Sequence, residues 1–301
     1  MKIGIVGGSG EIGYRLYQFY KFSCLFDNIT IFDIIKRPDI AEADFCFLDC
    51  TRPIDTGTFR GIDILYYKVG LMGPGLSFVD PLKFYDINTL SLLRTVQVAI
   101  SDGVQRIVFD STQSVFGPNN ESPFKESDLP IPRSIYGATK LISESYLLNY
   151  FSRSNIDISI MRYPRVVGLG TSSGFDNILL KLYKGKPVIY NPSNVMYFDL
   201  IHFEDLVYAL HEHLKSNLTG VFHFTSRIRT NVVDIVTNYC DLAGVEVDKL
   251  LDYTNDVNEN DLYLHKLNYL CDDYTRSLLP ISWKYNKLYK LILDYISLND
   301  K

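Results

Sequence analysis

Tyr136 and Lys140, in the segment Ser134-Ile135-Tyr136-Gly137-Ala138-Thr139-Lys140, are spaced so that a helix would stack them on one face. A phenol ionises near pH ~10 and is a poor base at neutrality. An ammonium beside it favours the phenolate, so the pair could exchange a proton with an alcohol or a carbonyl. An ordinary exposed helix fits the same spacing. A glycine turn near the N-terminus, Gly7-Gly8-Ser9-Gly10-Glu11-Ile12-Gly13, reverses those odds. Gly7, Gly10 and Gly13 suit a tight turn, a close approach of backbone to a pyrophosphate, and close helix–strand packing. The helix beyond them offers N–H groups and a partial positive charge to that anion. Asp33 ends the next apolar run, where a carboxylate would accept the ribose hydroxyls of a dinucleotide. It would also repel a 2′-phosphate, which favours NAD over NADP. Lys36 and Arg37 just beyond soften that preference and keep NADP as the alternative. Asp49, after the third run, is placed to meet the adenine amine.

These residues need a scaffold that brings strand ends together. Apolar strands are expected at Lys2 to Val6, Ile29 to Phe32, Phe45 to Leu48, Asp63 to Tyr67, Gln105 to Asp110 and Asp157 to Met161. Helices are expected over about 11–22, 81–101 and 135–151, the second with an apolar stripe of Leu90, Leu93, Val96, Val98 and Ile100. Short strands alternating with helices predict an α/β fold, a doubly wound parallel sheet that binds a dinucleotide at its carboxyl edge. After about Arg162 glycines and prolines cluster, predicting a smaller mixed α/β C-terminal lobe with helices near 204–215, 230–243 and 286–296. Residues 248–261 read as a polar loop. The expected division is a dinucleotide-binding domain over 1–165 and a substrate lobe over 166–301, interleaved in space.

Composition narrows the class. The 301 residues are 47% hydrophobic and 22% charged, with a net charge of −5, as in a soluble globular protein. The acidic balance and the lack of a basic run argue against a nucleic-acid partner. No stretch approaches the length of a membrane span. Cys24, Cys46, Cys50, Cys240 and Cys271 lack CxxC spacing, so they read as thiols of a reducing, cytoplasmic compartment, with neither disulfides nor a metal site.

With these residues in view, the chain resembles the extended short-chain dehydrogenase/reductase family, in its NAD-dependent nucleotide-sugar epimerase/dehydratase branch. The landmarks follow in family order: the glycine turn, Asp33, PLKFYDINTLSLLRTVQVA with Asn88, RIVFDSTQSVFG, YGATK, MRYPRVVGLG and FDLIHFEDLVYAL. The resemblance implies a catalytic Thr112 hydroxyl, Tyr136 as general acid/base, and Lys140 binding the nicotinamide ribose and lowering the tyrosine pKa. Cofactor contacts are expected from Gly7, Ser9, Gly10, Glu11, Ile12, Gly13, Asp33, Asp49, Lys68, Asn88, Tyr136, Lys140 and Tyr163. Substrate contacts are expected from Thr112, Gln113 and Arg165. The helices near 81–101 and 135–151 resemble those of the family's homodimer interface.

Four departures bear on activity. Lys68-Val69-Gly70 stands where the family carries an alanine-rich turn, altering that cofactor contact. Gln113 and Ser114 replace the Asp-Glu pair of the family's 4,6-dehydratases; neither ionises usefully, which disfavours dehydration. Arg165 replaces the family's asparagine at the sugar-diphosphate site, and Phe198 replaces its phosphate-binding arginine. A guanidinium suits a diphosphate, so Arg165 is expected to restore the lost charge. The sequence thus points to an NAD(P)-dependent oxidoreductase acting at C4 of a nucleotide-linked sugar. A 4-keto-sugar reductase is slightly favoured because the diphosphate contacts are rewired; a 4-epimerase with tightly bound NAD is the alternative, and a non-catalytic nucleotide sensor the third reading.

Overall fold

The structure is a computed structural model that describes residues 1–23, 26, 28–117, 123–151, 153–168, 173–192, 195, 197–254 and 269–299. In chain order the first half contains β1 (Lys2–Val6), α1 (Glu11–Phe22), β2 (Asn28–Asp33), β3 (Phe45–Phe47), β4 (Ile64–Tyr67), α2 (Pro74–Val79), α3 (Pro81–Tyr85), α4 (Ser91–Ser101), β5 (Arg106–Asp110), α5 (Ile135–Phe151) and β6 (Asp157–Arg162). There follow β7 (Arg165–Val167), α6 (Gly174–Tyr183), β8 (Val188–Tyr190), β9 (Tyr197–His202), α7 (Phe203–Ser216), β10 (Gly220–His223), β11 (Ile228–Asn231), α8 (Val232–Ala243), β12 (Leu251–Tyr253), α9 (Asp273–Leu278) and α10 (Leu288–Asn299).

Six strands pair in parallel in the order β3-β2-β1-β4-β5-β6, and β10 lies beyond β6. That 3-2-1-4-5-6 order belongs to a doubly wound sheet whose direction of winding reverses between β1 and β4, where ligands bind at the carboxyl ends. Those ends carry the glycine turn, Lys68 and, on β5, the run from Asp110 to Thr112. The strands are apolar on both faces because helices cover both, so Val6, Leu65, Ile107, Phe109, Ile158 and Ile160 share one core with Val96 and Leu147.

The chain forms two compact units, and it crosses between them several times. The first comprises 1–115, 130–162 and 213–222; the second comprises 116–129, 163–212 and 223–301. Within the second, β11-β9-β7 form a three-stranded sheet, β7 parallel and β11 antiparallel to β9. There β8 pairs with β12, and Leu179, Val188, Leu200, Ile235 and Ile292 lie in a separate core.

Several local expectations change. The helix expected over 81–101 is α3 and α4 joined by a π turn at Asp86–Leu90, and α2 precedes it unannounced. The wider turn rotates the helix face. From the π turn onward the buried residues are Asn88, Thr89, Ser91, Leu92, Thr95, Val96 and Ala99, so only Val96 of the expected stripe is fully buried. Its hydroxyls are satisfied: Thr89 donates to the Thr139 carbonyl at 3.0 Å and Thr95 to that of Ser91 at 2.8 Å. The helix expected from Thr230 starts at Val232 because Asn231 caps it, accepting from the Asp234 amide at 3.1 Å, and β11 takes the preceding residues. The loop expected at 248–261 contains β12; residues 255–261 lie outside the described set, as does Cys24. Cys46, Cys50, Cys240 and Cys271 are free thiols. Among the described residues no helix is long and apolar enough to cross a membrane.

The inward face of α5 is polar, with Tyr136, Thr139, Lys140, Ser143 and Glu144 all buried. Glu144 ties this face to the sheet. It is 1% exposed and accepts from Arg162 Nε at 2.9 Å and Nη2 at 2.6 Å, and also from the Ser111 hydroxyl. Removing one partner of such a pair strands the other charge, at a cost of about 3–5 kcal/mol. Arg162→Met is therefore expected to lower the free energy of unfolding by about 3 kcal/mol or more in a urea titration; an unchanged midpoint would contradict this role.

Candidate active site

The dinucleotide end is built by close approach. At Gly13 an added Cβ would stand 2.5 Å from the Gly7 carbonyl oxygen and 2.8 Å from Gly8 Cα, so any side chain would force the turn off the helix. Gly10 heads α1, with Glu11 and Ile12 in its first turn, and no side chain caps that end. A bare helix N-terminus over a glycine cradle fits an anion such as a pyrophosphate. Asp33 is drawn against this turn: its carboxylate accepts from the Ser9 amide at 2.9 Å and the Ile35 amide at 3.3 Å. The Ser9 hydroxyl donates to the Ile35 carbonyl at 2.5 Å, and Arg37 Nε donates to the Ser9 carbonyl at 2.8 Å. Arg37 is therefore held at the turn, while Lys36 pairs with Glu42 at 2.8 Å. Asp49 lies apart from this cluster in a turn of its own, accepting from the Thr51 amide at 3.0 Å and hydroxyl at 2.6 Å.

The reactive end depends on one glycine that spacing did not single out. An added Cβ on Gly137 would lie 2.0 Å from the Ser114 carbonyl oxygen. Its absence lets α5 press onto the 3-10 turn Gln113–Val115, which places Tyr136 at Thr112. Ser134 starts this helix, its hydroxyl accepting from the Gly137 amide at 3.0 Å. Tyr136 lies beside the Thr112 side chain, which favours its ionised form, and packs edge-on against Phe84, ring centroids 6.4 Å apart. Thr112, Tyr136 and Lys140 are all buried. Lys140 Nζ donates to the Asp110 carbonyl at 2.9 Å. Asn88, fully buried in the π turn, accepts from the Leu71 amide at 2.7 Å and donates to Thr139 Oγ1 at 3.1 Å, fixing the loop after β4 against α5. Gln113 Oε1 is buried and has no hydrogen-bond partner among the described residues, the kind of orphaned acceptor a bound ligand would satisfy.

Electrostatics here differ from the expectation that Lys140 acidifies the phenol. Burial pushes Tyr136 up to about 12; the Asp110 charge adds to this, and the neighbouring Thr112 side chain opposes it. Burial pulls Lys140 down to about 8, against the attraction of Asp110 and Glu144 and with the repulsion of Lys68. The resting phenol thus keeps its proton at neutral pH, so it stands ready as an acid and needs added positive charge to serve as a base. Lys68, expected at the cofactor, points inward: its Nζ lies 2.5 Å from Asp110 Oδ1 and its side chain is 1% exposed.

In the second unit, Tyr163 is buried directly after β6. Arg165 on β7 is half-buried, with its guanidinium 4.6 Å above the centre of the Phe198 ring of β9. Burial lowers its pKa to about 10, and it makes no ion pair among the described residues. The two substituted phosphate-site positions are thus in contact with each other.

The profile of the NAD dependent epimerase/dehydratase family matches residues 3–222. The chain belongs to this family. Relatives include UDP-glucose 4-epimerase 4 of Oryza sativa subsp. japonica, 27% identical over 210 residues that make up 62% of this chain and 57% of that one. A putative UDP-glucose 4-epimerase of Methanocaldococcus jannaschii is 24% identical over 213 residues, 68% of each chain. The match thus spans little more than half of the rice enzyme's length. Among solved structures, UDP-glucuronic acid 4-epimerase from Bacillus cereus, in complex with UDP-glucuronic acid and NAD, superposes with a TM-score of 0.85 at 20% identity, covering 100% of this chain and 98% of that one. DesIV, a dTDP-glucose 4,6-dehydratase from Streptomyces venezuelae with NAD bound, gives 0.83 at 18% identity, with 100% and 98% coverage. At such identities the likeness is one of fold. For this epimerase/dehydratase family member, the residues that sequence reasoning passed over are Asp110, Ser134, Gly137, Glu144 and Arg162. Asp110 was the most readable of them, a carboxylate that ends the apolar run 107–109 two residues before Thr112.

Proposed function

We propose that the protein is an NAD-dependent nucleotide-sugar 4-epimerase. The observation that carries this reading is the burial of Tyr136 beside Thr112, with Lys140 one helical turn on, in a sheet whose β1 end carries a close-packed glycine turn. Relatives bearing 4-epimerase names favour it over the 4-keto-sugar reductase that the rewired phosphate positions suggest. The Arg165–Phe198 contact weakens the case for a reductase, because the cationic charge has moved to the neighbouring strand rather than vanished. The free thiols suit a reducing cytoplasmic setting.

On this reading Gly7, Ser9, Gly10 and Gly13, with the first turn of α1 at Glu11 and Ile12, hold the pyrophosphate, and Asp33 holds the adenosine ribose. Bound NAD supplies the hydride acceptor and donor, together with a positively charged ring that favours the phenolate. Thr112 orients the sugar's C4 oxygen. Tyr136 takes the proton of that oxygen and later returns it to the same oxygen. Lys140 binds the nicotinamide ribose and helps hold the phenolate. Gln113 Oε1 accepts from the substrate, and Arg165 binds the diphosphate. Gln113 and Ser114 leave no ionisable pair for elimination.

Incubation with NAD and UDP-hexoses is expected to interconvert C4 epimers with no net change in reduced-nicotinamide absorbance. Stoichiometric loss of that absorbance with a 4-keto sugar would identify a reductase, and neither outcome would leave a nucleotide sensor. Tyr136→Phe is expected to cut kcat by about 100-fold or more, the scale of a lost general acid/base, with NAD affinity nearly intact; near-normal turnover would reject its role. Arg165→Ala is expected to raise KM more than it lowers kcat, since it removes binding made equally in ground and transition states. An unchanged KM would exclude it from the diphosphate site. Leu82 and Tyr85 on α3, with Ile142 and Leu148 on α5, are exposed apolar residues on the two helical stretches expected to pair across a dimer. Light scattering is accordingly expected to give twice the 34.5 kDa chain mass.

A further inference from the structure

We propose that Lys68 is a positioning residue: it holds the Asp110 carboxylate so that Lys140, tied only to a main-chain carbonyl, stays available to the phenol and the dinucleotide. The inference rests on the functional reading above, but it concerns a pair of residues which that reading leaves without a role. Four ionisable groups face the Lys140 ammonium. Three of them, Asp110 at the end of β5, Glu144 one turn along α5 and Lys68 after β4, act on it directly, and the fourth, Tyr136, stands one turn back on the same helix.

Both carboxylates in that set are already engaged. Glu144 is held by two Arg162 hydrogen bonds and by Ser111. Asp110 is held by Lys68 at 2.5 Å, with side chains 7% and 1% exposed, and Lys68 Nζ sits 5.1 Å over the buried Tyr66 ring. Lys140 takes the remaining acceptor, the Asp110 carbonyl, at 2.9 Å. Without Lys68, a buried carboxylate on the same residue would be left unpaired. Such a charge must find a partner or a proton, and the nearest cation is Lys140. Captured in that way, the ammonium would be drawn from Tyr136 and from the ribose position. The loop above it is equally tight: an added Cβ on Gly70 would stand 3.1 Å from Lys140 Nζ and 3.5 Å from Asn88 Oδ1. Lys140 has little freedom to serve two partners. The lysine at position 68 and the aspartate at position 110 therefore form one unit, in which the carboxylate requires the second ammonium.

The test is the titration of Lys140 itself, followed by NMR in 13C-lysine-labelled full-length protein and assigned with Lys140→Met, without cofactor or substrate. Lys68→Met removes a repelling cation and frees an attracting carboxylate, so the Lys140 midpoint is expected to rise by about one pH unit or more. Asp110→Asn does the reverse and is expected to lower it. Lys68→Met/Asp110→Asn, which removes one charge of each sign, is expected to return it close to the wild-type value. An unmoved or lowered midpoint in Lys68→Met overturns the proposal, and so does a double variant that titrates like Lys68→Met. If Lys68→Met does not fold, Asp110→Asn decides: a fall supports the proposal, and no change or a rise overturns it. Because this titration needs no sugar, absence of epimerisation in the wild type would count against the proposed function and leave this inference standing.

Discussion

Tyr136 is buried against Thr112, and the chemistry of this protein turns on the cost of ionising a phenol there. Burial, with a push from the Asp110 charge, raises its pKa to about 12, and the Lys140 ammonium does not offset that in the unliganded protein. A site of this kind is a poor base at rest. It becomes one only when a positive charge arrives next to the ring, which a bound oxidised nicotinamide brings. On the proposed function, this links proton removal to the presence of a hydride acceptor, so that the two halves of an alcohol oxidation would begin together.

The surrounding structure preserves this arrangement. Gly137 lets α5 close onto the 3-10 turn after β5, and Asn88 clamps the loop after β4 to the same helix. Arg162 and Lys68 each engage a carboxylate near Lys140. The result is a buried cluster in which most charges are matched and one ammonium is left with a neutral acceptor. Arg165, seated on Phe198 in the second unit, is held differently: its guanidinium lies against an aromatic face, and Asp176 is the acidic group that attracts it.

Much of the sheet was legible because its strands are apolar runs of the right length, and the glycine turn marks where they begin. Tyr136, Lys140 and Asp33 were readable from spacing and from position after a strand. Helix α5 was found through its motif rather than its periodicity, since its buried face carries Thr139, Lys140, Ser143 and Glu144. The π turn at Asp86–Leu90 was invisible because one extra residue in a turn shifts the apolar phase without changing composition. The ion pair of Lys68 was hidden for a different reason. Its partner Asp110 is 42 residues away, joined by the parallel pairing of β4 and β5, and no local pattern reports such a contact. The Arg165–Phe198 contact likewise needed the register of β7 on β9.

The most direct test is the ionisation of Tyr136 followed by 13C NMR in tyrosine-labelled protein, assigned with Tyr136→Phe, alone and with NAD or NADH bound. The phenol is expected to resist ionisation in the unliganded protein and to titrate about two pH units or more lower with NAD, but not with the uncharged ring of NADH. A Tyr136 midpoint that is the same in all three states would contradict the link between hydride acceptor and proton transfer.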